Sequence, residues 1–151
     1  MGYKPMHELF VNSSQIPAIK EIYFVLNLDK EPPLFLPVGT GGRFKGKDPN
    51  IPFDKLQANW IENALVVYIG KAGDDKSRAT LRSRLKQYFA FGQGKKIGHW
   101  GGRLIWQLMF SNKLVVCWKP LPDNDPRITE AQLIKEFVRQ YGRRPFANLA
   151  D

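Results

Sequence analysis

Ala64-Leu65-Val66-Val67-Tyr68-Ile69-Gly70 is among the longest apolar runs in the chain and ends at a glycine. It predicts a strand over residues 64–69, apolar enough to lie at the centre of a sheet. Upstream, residues 20–27 alternate Ile22, Phe24 and Leu26 against Glu21, Tyr23 and Val25, which fits a second strand with one face more polar. Downstream, residues 113–119 are rich in Val, Trp and Leu and read as a third. Residues 77–91 are the clearest helix, with Leu81, Leu85, Tyr88 and Phe89 on one stripe, Asp75 or Ser77 as N-cap and Gly92 as the stop. A second firm helix covers residues 129–141, opening on a Thr129/Gln132 capping box and closing at Gly142. Shorter helices are expected over residues 54–63 and 104–110. Prolines at 32, 33, 37 and 49 and four glycines between 39 and 46 make residues 28–63 insertion-like, with only a short strand near 34–36.

These elements predict an α+β fold, a small three-stranded antiparallel sheet flanked by helices, with a loop insertion between the first two main strands. The chain has 151 residues, which suits a single domain with its core over about residues 20–149. Apolar residues make up 43% and charged residues 25%, a globular balance that argues against disorder or a rod. Lys and Arg number 23 against 14 Asp and Glu, a net charge of +9 that suggests a polyanionic partner, nucleic acid first. The lone Cys117 cannot close an intrachain disulfide or build a thiolate zinc cage. No leader pattern or membrane-length apolar run is present, and Met6 spoils the myristoylation pattern at Gly2, so a soluble cytoplasmic protein is expected.

Gly41-Gly-Arg43-Phe-Lys45-Gly-Lys47-Asp48 nearly matches a phosphate-binding loop but fails it twice. Asp48 replaces the magnesium-holding hydroxyl, and Pro49 biases Asp48 away from the helical conformation. Arg43 and Lys45 then read either as backbone-contacting cations of a basic loop or as solvated charges. With only His7 and His99, the zinc-protease and serine-hydrolase patterns lack their parts.

Glu130 falls on the same helical stripe as Leu133, Ile134, Phe137, Val138 and Tyr141. Either it complements the helix dipole in the first turn or it is a metal ligand. On the 77–91 helix, Arg78, Arg82 and Lys86 form a basic row while Arg84 borders the opposite edge of the apolar stripe, and geometry alone leaves Arg82 and Arg84 equal as phosphate donors. The loop Gly94-Lys95-Lys96-Ile97-Gly98-His99-Trp100-Gly101-Gly102-Arg103 combines cations, glycines and an aromatic, a composition that suits a phosphate backbone or an unpaired base. His99 is open between nucleic-acid contact, proton transfer and packing.

Glu21-Ile22-Tyr23, Tyr68-Ile69-Gly70-Lys71, Leu81-Arg82-Ser83-Arg84-Leu85-Lys86-Gln87-Tyr88, Glu130-Ala-Gln-Leu133-Ile134 and Pro145-Phe146-Ala147-Asn148 follow one another in order. In this the chain resembles the GIY-YIG nuclease family from Ile22 to Asn148. The resemblance implies a metal-dependent DNA endonuclease. Tyr23 and Tyr68 would be its paired tyrosines, Arg84 rather than Arg82 its catalytic arginine, Glu130 its magnesium (or manganese) ligand and Asn148 its late asparagine. The sequence departs from the family in Glu21, which replaces the first glycine, in the long separation of the tyrosine motifs, and in extra residues at 72–80.

The chemistry is coherent by itself, since phosphodiester hydrolysis needs an activated water, a cation for the developing charge and help for the leaving oxygen. A phenol titrates near pH 10, so a tyrosine base needs neighbouring cations, for which Lys71 and Arg84 are placed. Tyr23 is the first choice to activate water, with the two tyrosine roles exchangeable. Arg78, Arg82, Lys95, Lys96, His99, Arg103, Arg43 and Lys45 are the expected contacts to double-stranded or branched DNA. A double-strand cut from one site per chain favours a homodimer or sequential nicks. The competing class is a non-catalytic nucleic-acid-binding module on the same scaffold.

Overall fold

The computed structural model describes residues 2–73, 76–120 and 125–149. In chain order they form β1 (Gly2–Pro5), α1 (Met6–Val11), a 3-10 turn at Ser13–Gln15, β2 (Glu21–Leu26), α2 (Phe53–Asn59) and β3 (Val66–Ala72). Then come α3 (Leu81–Gly92), 3-10 turns at Arg103–Gln107 and Ser111–Lys113, β4 (Val115–Pro120) and α4 (Pro126–Tyr141). The fold is α+β, with one antiparallel four-stranded sheet of order β1-β4-β2-β3 flanked by helices.

Four strands stand where three were expected. The extra one, β1, is Gly-Tyr-Lys-Pro, too short and too rich in strand-breaking residues to show an alternating pattern. It lies at the sheet edge, where a proline is tolerated, and any Cβ at Gly2 would run into the Trp118 indole. A second correction concerns β3, which is the opposite edge strand and not a central one. It is apolar because it is covered on both faces and closed along its outer edge. There the Ala147 N–H donates to the Val67 carbonyl at 2.9 Å. The Asn148 side chain accepts from Ile69 N–H and donates to Ile69 C=O, each at 2.8 Å.

Pairing in β2 sets the two faces. Tyr23 lies opposite Gly70 and Trp118, and Val25 opposite Tyr68 and Val116, so these side chains share the face that packs against Leu81, Leu85 and Tyr88 of α3. A register shift between Val25 and Leu26 follows, and Val66 packs with Ile61, Ala64, Phe137 and Tyr141 where α4 covers the other face. The insertion-like segment is fastened from within. Buried Gln107 accepts from Ile51 N–H at 3.0 Å and donates to Leu36 C=O at 3.2 Å and Ile51 C=O at 3.1 Å.

Both long helices start away from their expected N-caps. In α3 the cap is Thr80, whose hydroxyl accepts from Ser83 N–H while Ser83 accepts from Thr80 N–H. The next two donors, Leu81 and Arg82 N–H, find Ile19 and Pro17 carbonyls. Ser77 instead accepts from Ala79 N–H in a local turn, and Asp75 lies outside the described residues. In α4 the cap is Asp125 with Pro126 after it, and Thr129 is an internal residue whose hydroxyl donates to the Asp125 carbonyl. The expected 104–110 helix is a 3-10 turn over Arg103–Gln107. Among the described residues, no helix is long and apolar enough to cross a membrane.

Gly70 is required because the Tyr23 ring lies across it, where an added Cβ would overlap the phenol. Replacing Gly70 by Ala should therefore lower stability by about 1–3 kcal/mol through displacement of Tyr23. A reduced urea midpoint with an unchanged m-value checks this.

Candidate active site

Tyr68 and Lys71 are three residues apart in an extended strand, so their side chains leave β3 on opposite faces. At an edge strand both can still reach the same outside space. Two clefts open there, one of about 810 Å³ beside α4 and one of about 490 Å³ beside α3, and Tyr68, Lys71 and Glu130 line both. Arg84 and Gln87 lie in the smaller cleft, with the Arg84 guanidinium donating to Gln87 Oε1 at 3.2 Å. Asn148, Arg103 and Trp100 lie in the larger. Glu130 is at the second turn of α4, because the helix begins at Pro126 and its first turn holds no acid. The dipole explanation for Glu130 thereby loses its basis, and the carboxylate faces the junction of the clefts.

The two tyrosines differ sharply in environment. Tyr23 is 1% exposed and lines neither cleft, whereas Tyr68 lines both. Their rings meet edge to face with centroids 5.9 Å apart, and the Tyr23 hydroxyl donates to that of Tyr68. Burial holds the Tyr23 phenol well above its ordinary range, with Tyr68 and Tyr88 adding to the effect. Burial also pushes Tyr68 up to about 12; the bond from Tyr23 and the Arg84 charge pull it down, and the Glu130 carboxylate pushes it up. Of the pair, Tyr68 is the one within reach of a water in the clefts.

A glycine turn cradles Tyr68. A Cβ at Gly102 would lie 3.0 Å from the Tyr68 ring and 2.9 Å from the Tyr88 hydroxyl, and Gly102 has φ +76°, a conformation that favours glycine. The turn is held by two donors, Tyr88 Oη to Gly102 O at 2.6 Å and His99 Nδ1 to Gly101 O at 3.1 Å. His99 is 2% exposed, stacked on Tyr88 with centroids 4.5 Å apart, and burial aided by the Arg84 charge drives its pKa down to about 4. His99 is thus enclosed behind the turn and packed on Tyr88, not presented at the surface as a nucleic-acid contact would be. Its Nε2 is buried without a hydrogen-bond partner among the described residues.

The expected cations divide. Arg82 is a clamp, with Nε donating to Ile16 O at 2.7 Å and Nη2 to Ser14 O at 3.3 Å, so two of its donors hold the 13–19 segment, and it lines neither cleft. Arg103 lies over the Trp100 ring at 4.6 Å. Arg43 and Lys45 project from a loop that packs on the loop bearing Lys95 and Lys96, with Gly42 against the Lys95 carbonyl and Gly98 against the Phe44 ring. All four are exposed, as is Arg78, and none lines either cleft. Arg43 lies 3.5 Å from Asp48, which also accepts from Asn50, so the failed phosphate loop is closed on itself. Glu21 is buried at the start of β2, its carboxylate without a partner among the described residues and its pKa raised by burial.

For a metal ion, the described residues offer no group of three or more His, Cys, Asp or Glu. Among the described residues Glu130 is the carboxylate lining both clefts; one carboxylate at an open cleft suits magnesium, which keeps several waters and takes phosphate oxygens, and does not suit zinc. No family model matches this chain, and no curated protein or solved structure is found to match it. The functional reading therefore rests on the site.

Sequence reasoning missed Arg127, Lys135 and Arg144, all exposed and all lining the larger cleft. Arg127, Ala131 and Lys135 recur every four residues, a helical row beside the apolar stripe that carries Glu130. Arg144 follows the helix and had no such signal.

Because the unfolded chain takes up a proton on His99 near pH 6.5 and the folded protein only near 4, stability should fall as pH drops through that window. The loss approaches about 3 kcal/mol below pH 4. Urea midpoints of the wild type and His99→Gln between pH 7 and 4 test it, the variant losing this part of the slope.

Proposed function

We propose that this protein is a divalent-metal-dependent endonuclease of the GIY-YIG type that hydrolyses DNA phosphodiester bonds. The observation that carries the reading is the convergence of Tyr68, Lys71 and Glu130, from β3 and α4, on the junction of two clefts, with Arg84 of α3 in one and Asn148 in the other. A scissile phosphate at that junction meets the Lys71 and Arg84 cations, which offset the charge of the pentacoordinate transition state. Tyr68, acting as the phenolate that the hydrogen bond from Tyr23 favours, takes the proton of the attacking water. Tyr23 thus supports and Tyr68 acts, the exchanged assignment. Asn148 keeps β3 and its tyrosine in register. Glu130 would hold the magnesium ion, which would supply Lewis-acid stabilisation to the reacting phosphate.

A second reading, a module that grips DNA without cutting it, draws on the protonated state of Tyr68 at neutral pH. Supercoiled plasmid separates the two. Magnesium-dependent nicking or linearisation is expected, falling by at least about 100-fold in Arg84→Ala and in Glu130→Ala, with both variants folded. An active Glu130→Ala protein would remove the mechanism, and salt-sensitive binding without turnover would favour the module.

A further inference from the structure

The two clefts differ in chemistry. The one beside α3 is polar, lined by Arg84, Gln87 and Ser77, and suits a phosphate and its sugar. The one beside α4 has apolar residues, Ile134, Val138 and Leu149, next to the half-buried Trp100. Around them stand the cations Arg103, Arg127, Lys135 and Arg144, against one carboxylate, Glu130, among the described residues. A duplex backbone presents phosphates and sugars and has no use for an apolar wall. An unstacked nucleotide needs both parts, an apolar surface for its base and cations for its phosphate. The Arg103 guanidinium 4.6 Å from the Trp100 ring centre provides a flat cationic plane, and Arg103 Nη1 holds it there by donating to the Trp100 carbonyl at 3.3 Å. At about 810 Å³ the cleft is ample for a nucleotide.

We propose that the α4 cleft binds an unpaired nucleotide of the DNA strand adjoining the scissile phosphate, so that the protein selects single-stranded or overhanging DNA over continuous duplex. The inference rests on the nuclease reading for its substrate, yet binding alone tests it. Arg127 and Lys135 contact the strand's phosphates, and the base lies against Trp100, Ile134 and Val138.

The experiment is fluorescence anisotropy of the full chain in EDTA with three dye-labelled probes: oligo-dT, a blunt duplex of equal length, and that duplex with an oligo-dT overhang. Oligo-dT and the overhang should bind about tenfold tighter than the blunt duplex, the worth of one stacked base. Ala131→Trp, which fills the cleft from an exposed helix position, should abolish that preference by bringing oligo-dT and overhang affinity down to that of the blunt duplex, and Trp100→Leu should weaken oligo-dT binding. Far-ultraviolet dichroism confirms that both variants fold. Equal or tighter binding of the blunt duplex, or a strand preference that survives Ala131→Trp, overturns the inference. Cleavage of the overhang duplex in magnesium is read separately. Cleavage without strand preference in binding sinks this inference alone, and strand preference without cleavage of that duplex sinks only the nuclease reading.

Discussion

The pairing of the Asn148 amide with both backbone groups of Ile69 is the contact on which the site depends. An edge strand leaves a row of donors and acceptors open to solvent or to another strand. Closing β3 with a fifth strand would satisfy them but would cover the space that Tyr68 and Lys71 share. Beyond the Ala147 N–H on Val67, one side-chain amide satisfies both groups of Ile69 and ends there, leaving the clefts open. Two such bonds contribute about 1 kcal/mol each, modest for the fold and large for the register of one strand. They fix the backbone at Ile69, and with it the flanking Tyr68 and Gly70, at the sheet edge.

Around that strand the polar groups are arranged in order of burial. Tyr23 lies deepest and donates outward to Tyr68, which in turn faces the clefts. Burial raises both phenols, so the inner tyrosine keeps its proton and remains a donor. This direction matters, because a donor aimed at the Tyr68 oxygen stabilises its phenolate more than its phenol. The glycines complete the arrangement. Gly70 leaves room for the Tyr23 ring, and Gly102 lets a backbone turn approach Tyr68 closely, with Tyr88 and His99 holding that turn by its carbonyls. His99 is a better clamp for being neutral, since a charge there would repel Arg84.

The three long strands were legible in the sequence because each carries an apolar or alternating run, and α3 and α4 because each carries a stripe at helical spacing. What stayed hidden depends on partners distant in the chain. β1 is a strand through its pairing with β4, where Gly2 leaves room for the Trp118 indole. The apolar run at Tyr68 reads as central because burial on both faces leaves the same pattern whether strands or a tail close the edge. Arg82 and Arg84 flank the apolar stripe on opposite edges with nothing local to choose between them, but carbonyls of the 13–19 segment engage Arg82 while Arg84 lines the cleft. His99 carries no local sign that it would be enclosed.

The start of α4 shows how a small local choice reaches the chemistry. Had the helix opened at Thr129, Glu130 would sit in the first turn, where the dipole alone accounts for an acid. Asp125 and Pro126 instead open it earlier, with the Asp125 side chain accepting from Arg127 N–H at 2.9 Å and Thr129 turned inward to the Asp125 carbonyl. That extra turn carries Glu130 to the cleft junction. It also sets the row Arg127, Ala131, Lys135 alongside the row Glu130, Ile134, Val138, both in the larger cleft. One helix start thus fixes the candidate metal ligand, the apolar wall and the cationic rim together. A shift of one residue would turn all three about 100° away from β3.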